Sequence, residues 1–169
     1  MKALTLILLT FSITTVAVSH ATPTLITNPQ PKMNLSSILN HIQQIGETRL
    51  VGGTCNYLVT IKTSCSSPPH TTDEISLLFG DANGSELYVE RLNDPDPETF
   101  EQCSTISFEI LGPCVGKICQ LYLFRNGTDG WMPETVTAYY NDYPPITFNY
   151  NIFIPQGVSS GFNYCDNKN

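Results

Sequence analysis

Basic residues are scarce in this chain of 169 residues, and charged residues as a whole make up only 14% of it. Eight Lys and Arg stand against 15 Asp and Glu, which gives a formal net charge of −7. Nucleic-acid binding needs a positive surface, and adsorption to anionic lipid needs Lys and Arg near the bilayer. The composition therefore argues against both kinds of partner.

Close spacings of metal ligands are also lacking. The chain has no Cys-x-x-Cys pair, and its histidines beyond the N-terminal region, His41 and His70, lie far from most of the cysteines. Structural zinc sites usually combine closely spaced Cys and His ligands, and copper sites of the extracellular type need His together with Cys or Met. Both kinds of site are disfavoured, and no cofactor is expected apart from the calcium considered below.

Only one long apolar run is present, Ala3–Val18, and it lies at the N-terminus. It follows Lys2 and precedes Ser19-His20-Ala21, the order of a secretory signal peptide. The run has about 16 residues, whereas a membrane span needs about 20. The sequence therefore predicts a signal peptide at residues 1–21, a mature chain that begins near Thr22 and has no transmembrane segment, and secretion to the apoplast or cell wall.

Cysteine and glycosylation patterns agree with secretion. An even set of cysteines in an oxidising compartment is typical of disulfides, here three, although the pairing cannot be read from the sequence. The six cysteines are Cys55, Cys65, Cys103, Cys114, Cys119 and Cys165. Sequons for N-glycosylation begin at Asn34, Asn83 and Asn126, and the last two coincide with Asn-Gly turn signals.

Residues 22–50 read as a linker followed by a short helix. Thr22–Lys32 contains three prolines, which is typical of an extended lead-in. Apolar residues then recur at helical spacing, namely Leu35, Ile38, Leu39, Ile42 and Ile45. The polar side of this amphipathic helix carries almost no basic residues, so we expect the helix to dock on the domain rather than on a membrane.

Residues 51–169 read as one domain of short strands joined by turns. Ile118–Phe124 and Thr135–Tyr140 are predicted to face each other across a polar turn, with Trp131 closing the end of the core. Apolar residues of one parity from Ile146 to Ile154 predict a further strand after a break at Tyr143-Pro144-Pro145. Other strands are predicted at residues 57–62, 75–79, 87–91, 106–110 and 162–165. About eight strands without strand–helix alternation predict an all-β, antiparallel two-sheet sandwich.

Several stretches resemble a known family. Cys55–Thr63 and Thr72–Asp81 resemble the opening of a PLAT/LH2 domain, and Asp129-Gly130-Trp131 lies where that family places Gly-Trp before a strand. Phe100–Ser104, Gly112-Pro113-Cys114 and Leu121–Trp131 resemble hallmark stretches of the plant embryo-specific (seed-expressed) proteins, small secreted proteins built around one PLAT-like domain. The resemblance covers roughly residues 50–142.

This resemblance implies an eight-stranded sandwich that acts as a non-catalytic module. Such domains recruit a lipid surface or a protein partner, sometimes with calcium, and the seed family suggests a role in embryo or seed development. We therefore expect a monomeric secreted binding module that is not an enzyme. The alternative is a secreted carbohydrate-binding or inhibitor-like defence protein with exposed aromatic residues, drawn from Tyr139, Tyr140, Tyr143, Phe148 and Tyr150.

Three candidate sites remain to be weighed. The stretch Asp73–Glu109 holds ten carboxylates and one base, which is typical of a solvated face, but calcium ligands are an alternative. Those candidate ligands are Asp81, Asp94, Asp96 and Glu98.

Trp131 and Met132 form a candidate membrane-interface tip, and the alternative interpretation is that Trp131 closes the core. The Gly-x-Ser-x-Gly pattern at 157–161 has no later histidine and is interpreted as accidental.

Overall fold

The computed structural model describes residues 53–93, 99–140 and 143–165, and the chain forms eight strands and no helix within them. The strands are β1 Thr54–Thr63, β2 Glu74–Asp81, β3 Glu86–Val89, β4 Thr105–Pro113, β5 Ile118–Asn126, β6 Pro133–Tyr140, β7 Tyr143–Asn149 and β8 Ser160–Asn163. A first sheet has the order β4-β1-β6-β7 and a second sheet the order β3-β2-β5-β8, and all pairs are antiparallel. The predicted all-β sandwich is confirmed. The predicted leader, linker and helix lie outside the described residues.

The core forms between the two sheets because strands of both sheets present alternate apolar side chains to it. In β1, Tyr57, Val59 and Ile61 are buried, whereas Leu58 reaches solvent on the opposite face. Leu77 and Phe79 of β2 belong to the same core cluster. This is the inward and outward alternation expected of a strand with one face in the core.

The second sheet buries apolar side chains on both of its faces. Leu78, Tyr122 and Phe124 alternate with the core residues of β2 and β5, and they form a separate buried cluster on the outward face. We call these three residues the outer cluster. Because apolar residues of β2 and β5 lie on both faces of the sheet, their sequences do not show the clean alternation seen in β1.

The two strands that flank the polar turn at residues 127–132 do not belong to one sheet. β5 pairs with β2 and β8, whereas β6 pairs with β1 and β7. The turn therefore crosses the end of the sandwich, and Trp131 closes that end as predicted, with 0% of its surface exposed. Its ring centroid lies 4.8 Å from that of Phe100, and its Nε1–H donates to Oγ1 of Thr63 at 3.2 Å.

The predicted strand from Ile146 to Ile154 is wrong at both ends. β7 starts at Tyr143 and includes both prolines, which an edge strand tolerates because one side of it has no partner to bond. It stops at Asn149, and Asn151 then adopts a left-handed conformation with φ of 50°. Hydrogen bonding to β6 continues as far as Asn151, and the N–H of Ile154 then donates to the carbonyl of Trp131, before β6, at 3.0 Å. The two residues between them bulge away from the sheet.

All six cysteines are paired, which confirms the expectation of three disulfides. The pairs are Cys55–Cys114, Cys65–Cys103 and Cys119–Cys165. The first joins β1 to the end of β4, and the last joins β5 to the chain just after β8. Each closes a loop of 38 to 59 residues, for which the chain-entropy model gives about 4 kcal/mol of stabilisation.

In the described part of the chain, no helix is long and apolar enough to cross a bilayer.

We predict that Tyr57→Phe lowers the free energy of unfolding by about 1–3 kcal/mol. The Tyr57 hydroxyl donates to the carbonyl of Pro113 at 2.9 Å and accepts the N–H of Val115 at 2.6 Å. Burial raises the pKa of this phenol, which keeps the proton available for donation. Removing the oxygen leaves the buried N–H of Val115 without this acceptor.

Urea unfolding followed through the fluorescence of Trp131 measures this loss. Tyr139→Phe is the matched control, because Tyr139 is an exposed tyrosine on the outward face of the first sheet and should tolerate the change. Equal unfolding midpoints for the two variants would contradict the prediction.

Candidate functional site

A buried ion pair holds the end of the sandwich that Trp131 closes. Nη1 of Arg125, in β5, donates to Oδ2 of Asp73, which precedes β2, and the two side chains are only 10% and 3% exposed. Asp73 also accepts the N–H groups of Asp129 at 3.0 Å and Gly130 at 3.1 Å, and Nε of Arg125 donates to the carbonyl of Ile154 at 2.7 Å. The pair therefore fixes two loops, 127–131 and 150–154, against the second sheet.

Asp129 adds a second attachment to the same loop. Its Oδ2 accepts the hydroxyl of Thr72 at 2.6 Å and the N–H of Thr72 at 2.9 Å. Both bonds lower the pKa of the Asp129 carboxyl below its usual value, and the bond from the Thr72 hydroxyl has the larger effect. The carboxyl is therefore ionised at neutral pH and keeps the loop beside the chain that leads into β2.

The bulge after β7 presents two large apolar side chains to solvent. Ile152 is 39% exposed and Phe153 is 51% exposed. We call these two residues the loop tip. A side chain at Gly130 would lie 3.8 Å from the Phe153 ring and 3.9 Å from Pro68, so the tip is adjacent to the loop fixed by Asp73. Because the chain on either side of the tip is hydrogen-bonded, its position is well defined.

The predicted interface tip at Trp131 and Met132 is wrong for Trp131, which is fully buried and has no surface to insert. Met132 is half-buried, and its N–H donates to Oγ of Ser67 while its carbonyl accepts the N–H of Ser64. The exposed apolar pair Ile152 and Phe153 lies at the same end of the domain as the predicted tip but on another loop. The signal that was missed is Asn151, a residue type that tolerates positive φ and can begin a bulge.

A second exposed apolar surface lies at the opposite end of β6. Leu58, Tyr139 and Tyr143, together with Asn56 and Glu109, line a cleft of about 420 Å³. We call it the tyrosine cleft; Tyr57, Tyr140 and Pro145 complete its lining. Aromatic faces beside an amide and a carboxylate are the chemistry that stacks on sugar rings and bonds their hydroxyls.

The tyrosine cleft uses only part of the aromatic set expected at the surface. Tyr139 and Tyr143 are 40% and 45% exposed, whereas Phe148 and Tyr150 are core residues. Tyr140 is half-buried and packs against Tyr57, with ring centroids 4.5 Å apart. Alternation along β6 explains this division, because Tyr139 points outward and its neighbour in sequence points inward.

Asp81 does not fit the role of a calcium ligand. Its Oδ1 accepts the N–H groups of Asn83 at 2.8 Å and Ser85 at 3.0 Å, and its Oδ2 accepts that of Gly116 at 2.7 Å. The carboxylate therefore organises the turn after β2. Across residues 53–93, 99–140 and 143–165, no group of three or more His, Cys, Asp or Glu could hold a metal ion. The other three candidate ligands, Asp94, Asp96 and Glu98, lie outside the described residues.

Two of the three sequons can be located. Asn83 and Asn126 are exposed, so both side chains are accessible to solvent, and Nδ2 of Asn126 donates to Glu74 at 3.3 Å; Asn34 lies outside the described residues. The Gly-x-Ser-x-Gly pattern runs into strand β8, whereas a nucleophile elbow leads from a strand into a helix. Ser159 within it is buried.

Solved structures with a similar fold include a LOX variant, Delta413-417:GS, with a TM-score of 0.57, 19% identity and coverage of 66% of this chain and 16% of that chain. Coral 8R-lipoxygenase, described as having calcium activation via a C2-like domain, aligns with a TM-score of 0.51, 19% identity and coverage of 64% and 17%. Alpha toxin from Clostridium absonum aligns with a TM-score of 0.54, 16% identity and coverage of 74% and 35%. At these identities the likeness concerns the fold alone, and it supports a PLAT/LH2-like sandwich.

Sequence relatives are closer. Embryo-specific protein ATS3B of Arabidopsis thaliana is 51% identical over 116 residues, which cover 69% of this chain and 61% of the relative. Embryo-specific protein ATS3A of the same plant is 52% identical over 112 residues, covering 66% and 63%. The chain thus aligns with about three-fifths of the length of these relatives. A family model described as Embryo-specific protein 3 (ATS3) matches residues 42–165, a stretch that takes in all eight strands and every cysteine. The chain therefore belongs to the embryo-specific protein 3 (ATS3) family.

Proposed function

We propose that this protein is a secreted, non-catalytic binding module of the seed and embryo, and that its loop tip binds a lipid surface. The names of the Arabidopsis relatives support the tissue, and the PLAT-like sandwich supports the role of a module. Three disulfides are compatible with a secreted protein, and the apoplast or cell wall is the proposed location. The module acts as a monomer in this proposal.

The observation that carries the proposal is the exposure of Ile152 and Phe153 side by side on a fixed base. Ile154, the next residue, is fully buried and is bonded to both Trp131 and Arg125. Burying one large apolar side chain gains about 1.5–3 kcal/mol, and a preformed tip loses little conformational entropy on insertion. A convex pair of this kind fits a lipid surface better than it fits a solvated groove.

The charge of the chain selects the kind of lipid. A net charge of −7 opposes approach to anionic membranes, so the proposed target is a surface of zwitterionic lipid. Calcium could bridge a carboxylate to a lipid phosphate, and the coral lipoxygenase is activated by calcium via its C2-like domain. Because the Asp81 carboxylate is occupied by backbone N–H groups, the proposal does not depend on calcium.

We predict that Phe153→Ser lowers the partition coefficient of the protein on phosphatidylcholine vesicles about tenfold or more, the factor that corresponds to one buried aromatic side chain. The full chain is produced in a eukaryotic secretion host, and its flotation with vesicles measures the partition coefficient. Leu111→Ser is the matched control, because Leu111 is 73% exposed on β4 and lies away from the tip.

Equal flotation of the two variants would remove the loop tip from the interaction. If the wild-type protein does not float at all, the lipid part of the proposal is wrong, and a protein partner becomes the occupant to test at the same tip.

The tyrosine cleft supports a second candidate function, recognition of carbohydrate in the cell wall by a defence or inhibitor-like protein. The specific observation is that Tyr139 and Tyr143 are exposed beside Glu109 and Asn56 in one cleft. The cleft volume of about 420 Å³ lies at the lower end of the range for small-ligand sites, which is about 300–1,000 Å³. A short sugar segment would suit it.

For this second candidate, we predict that Tyr139→Ala weakens binding to plant cell-wall oligosaccharides on a glycan array about tenfold and leaves flotation unchanged. The physical reason is the loss of a stacking face, which costs about 0.5–1.5 kcal/mol beyond the buried area. Phe153→Ser is the reciprocal control and should keep sugar binding. An array without any bound oligosaccharide would exclude the candidate.

A further inference from the structure

The outer cluster is buried although it lies on the outward face of its sheet. Leu78, Tyr122 and Phe124 are 3%, 4% and 2% exposed. Among the described residues, the partly buried apolar side chain that packs against them is Tyr88, which belongs to β3 of the same sheet. Neighbours within one sheet flank such side chains but do not lie over them. A further element of matching apolar character is needed to cover this face.

The first sheet shows what a solvated outward face looks like in this protein. There, hydroxyl pairs join Thr60 to Ser107 and Thr137 to Thr147, each at 2.9 Å. Lys62 forms an ion pair with Glu134 at 2.6 Å on the same face. Antiparallel sheets commonly keep one polar face toward water. The outward face of the second sheet also carries polar groups, since Gln120 bonds to Glu86 and Asn163, but it differs from the first in burying three large apolar side chains.

The described chain begins near one end of the second sheet. The carbonyl of Gly53 accepts the N–H of Cys114 at 3.2 Å. Two residues further along, the N–H of Gly116 donates to Asp81, the last residue of β2, and β5 begins at Ile118. The start of β1 thus lies at the end of the second sheet where β2 finishes and β5 begins. Leu78 and Tyr122 follow within three or four strand residues, a distance of about 10–14 Å.

We infer that residues 35–45 form the helix that covers the outer cluster. Their apolar residues recur at helical spacing, and eleven helical residues extend about 16 Å, comparable with the about 20 Å from Ile118 to Phe124 along β5. The residues between Ile45 and Gly53 can span about 25 Å when extended, which is comparable with the about 10–14 Å along the strands together with the about 10 Å between the two sheets. The helix and the face thus match in length, reach and apolar character.

A covalently attached helix also has an advantage over other occupants. A short linker gives its helix an effective concentration in the millimolar range, far above that of a second copy or of a separate partner. The helix therefore completes a third layer over the second sheet, and the loop tip and the tyrosine cleft remain available to partners.

Hydrogen exchange measured by mass spectrometry on the full chain, produced in a eukaryotic secretion host, tests this inference. We expect amides 35–45 to exchange about tenfold or more slowly than in an unstructured peptide, and Ile42→Asp to abolish that protection. Gln43→Asp, one position along on the polar side, is the matched control and should keep it. Protection of the strands in both variants shows that the sandwich still folds.

Three outcomes would overturn the inference. Amides 35–45 could exchange at the unstructured rate in the wild-type protein. Ile42→Asp and Gln43→Asp could behave alike. Protection could also appear only at concentrations where light scattering detects a dimer, in which case a second copy is the occupant of the outer face.

Discussion

The ion pair between Asp73 and Arg125 is the constraint on which one end of this protein depends. Removing two charges from water costs desolvation free energy, and their mutual attraction offsets it only when the remaining donors and acceptors are satisfied. Here Asp73 also accepts two backbone N–H groups, and Arg125 donates to the carbonyls of Gly127 and Ile154. These backbone groups must lie within hydrogen-bond distance of the two charged side chains, and this requirement orders the turn that crosses the end of the sandwich. Gly127 is part of the arrangement, because its φ is 146° and a side chain there would collide with Asp73.

Two consequences for function follow from that constraint. The turn carries Trp131 into the end of the core, so the indole contributes to stability and not to an interface. The same arginine holds Ile154, so the bulge before it cannot relax back into β7. Ile152 and Phe153 are thus kept outside the sheet by interactions that lie behind them. A surface that is held in place in this way can bind without first paying for its own ordering.

The sequence predicted most of the strands and little of the surface. Alternation identified β1 because one of its faces is solvated, and Trp131 was correctly interpreted as a core residue. The sequence did not show that β5 and β6 belong to opposite sheets, because a polar turn can join two strands of one sheet or two strands of facing sheets. It also failed after β7, where the parity from Ile146 to Ile154 continues through a bulge. Asn151 is the one local sign of that bulge, and the exposure of Phe153 otherwise depends on the bonds of Ile154 to Arg125 and Trp131, which are more than 20 residues away in sequence. The disulfide pairs were undetermined for the same reason.

The two candidate binding surfaces are separated by the length of one strand. Met132, just before β6, lies near the loop tip, and Tyr139, at the other end of β6, lines the tyrosine cleft. Eight strand residues span about 25 Å. The tip projects from the closed end of the sandwich, whereas the cleft lies at the other end of the first sheet. A ligand in the cleft therefore need not displace a lipid surface at the tip. A domain of this size can link an apolar surface to a polysaccharide, and the two proposed activities are compatible with one molecule.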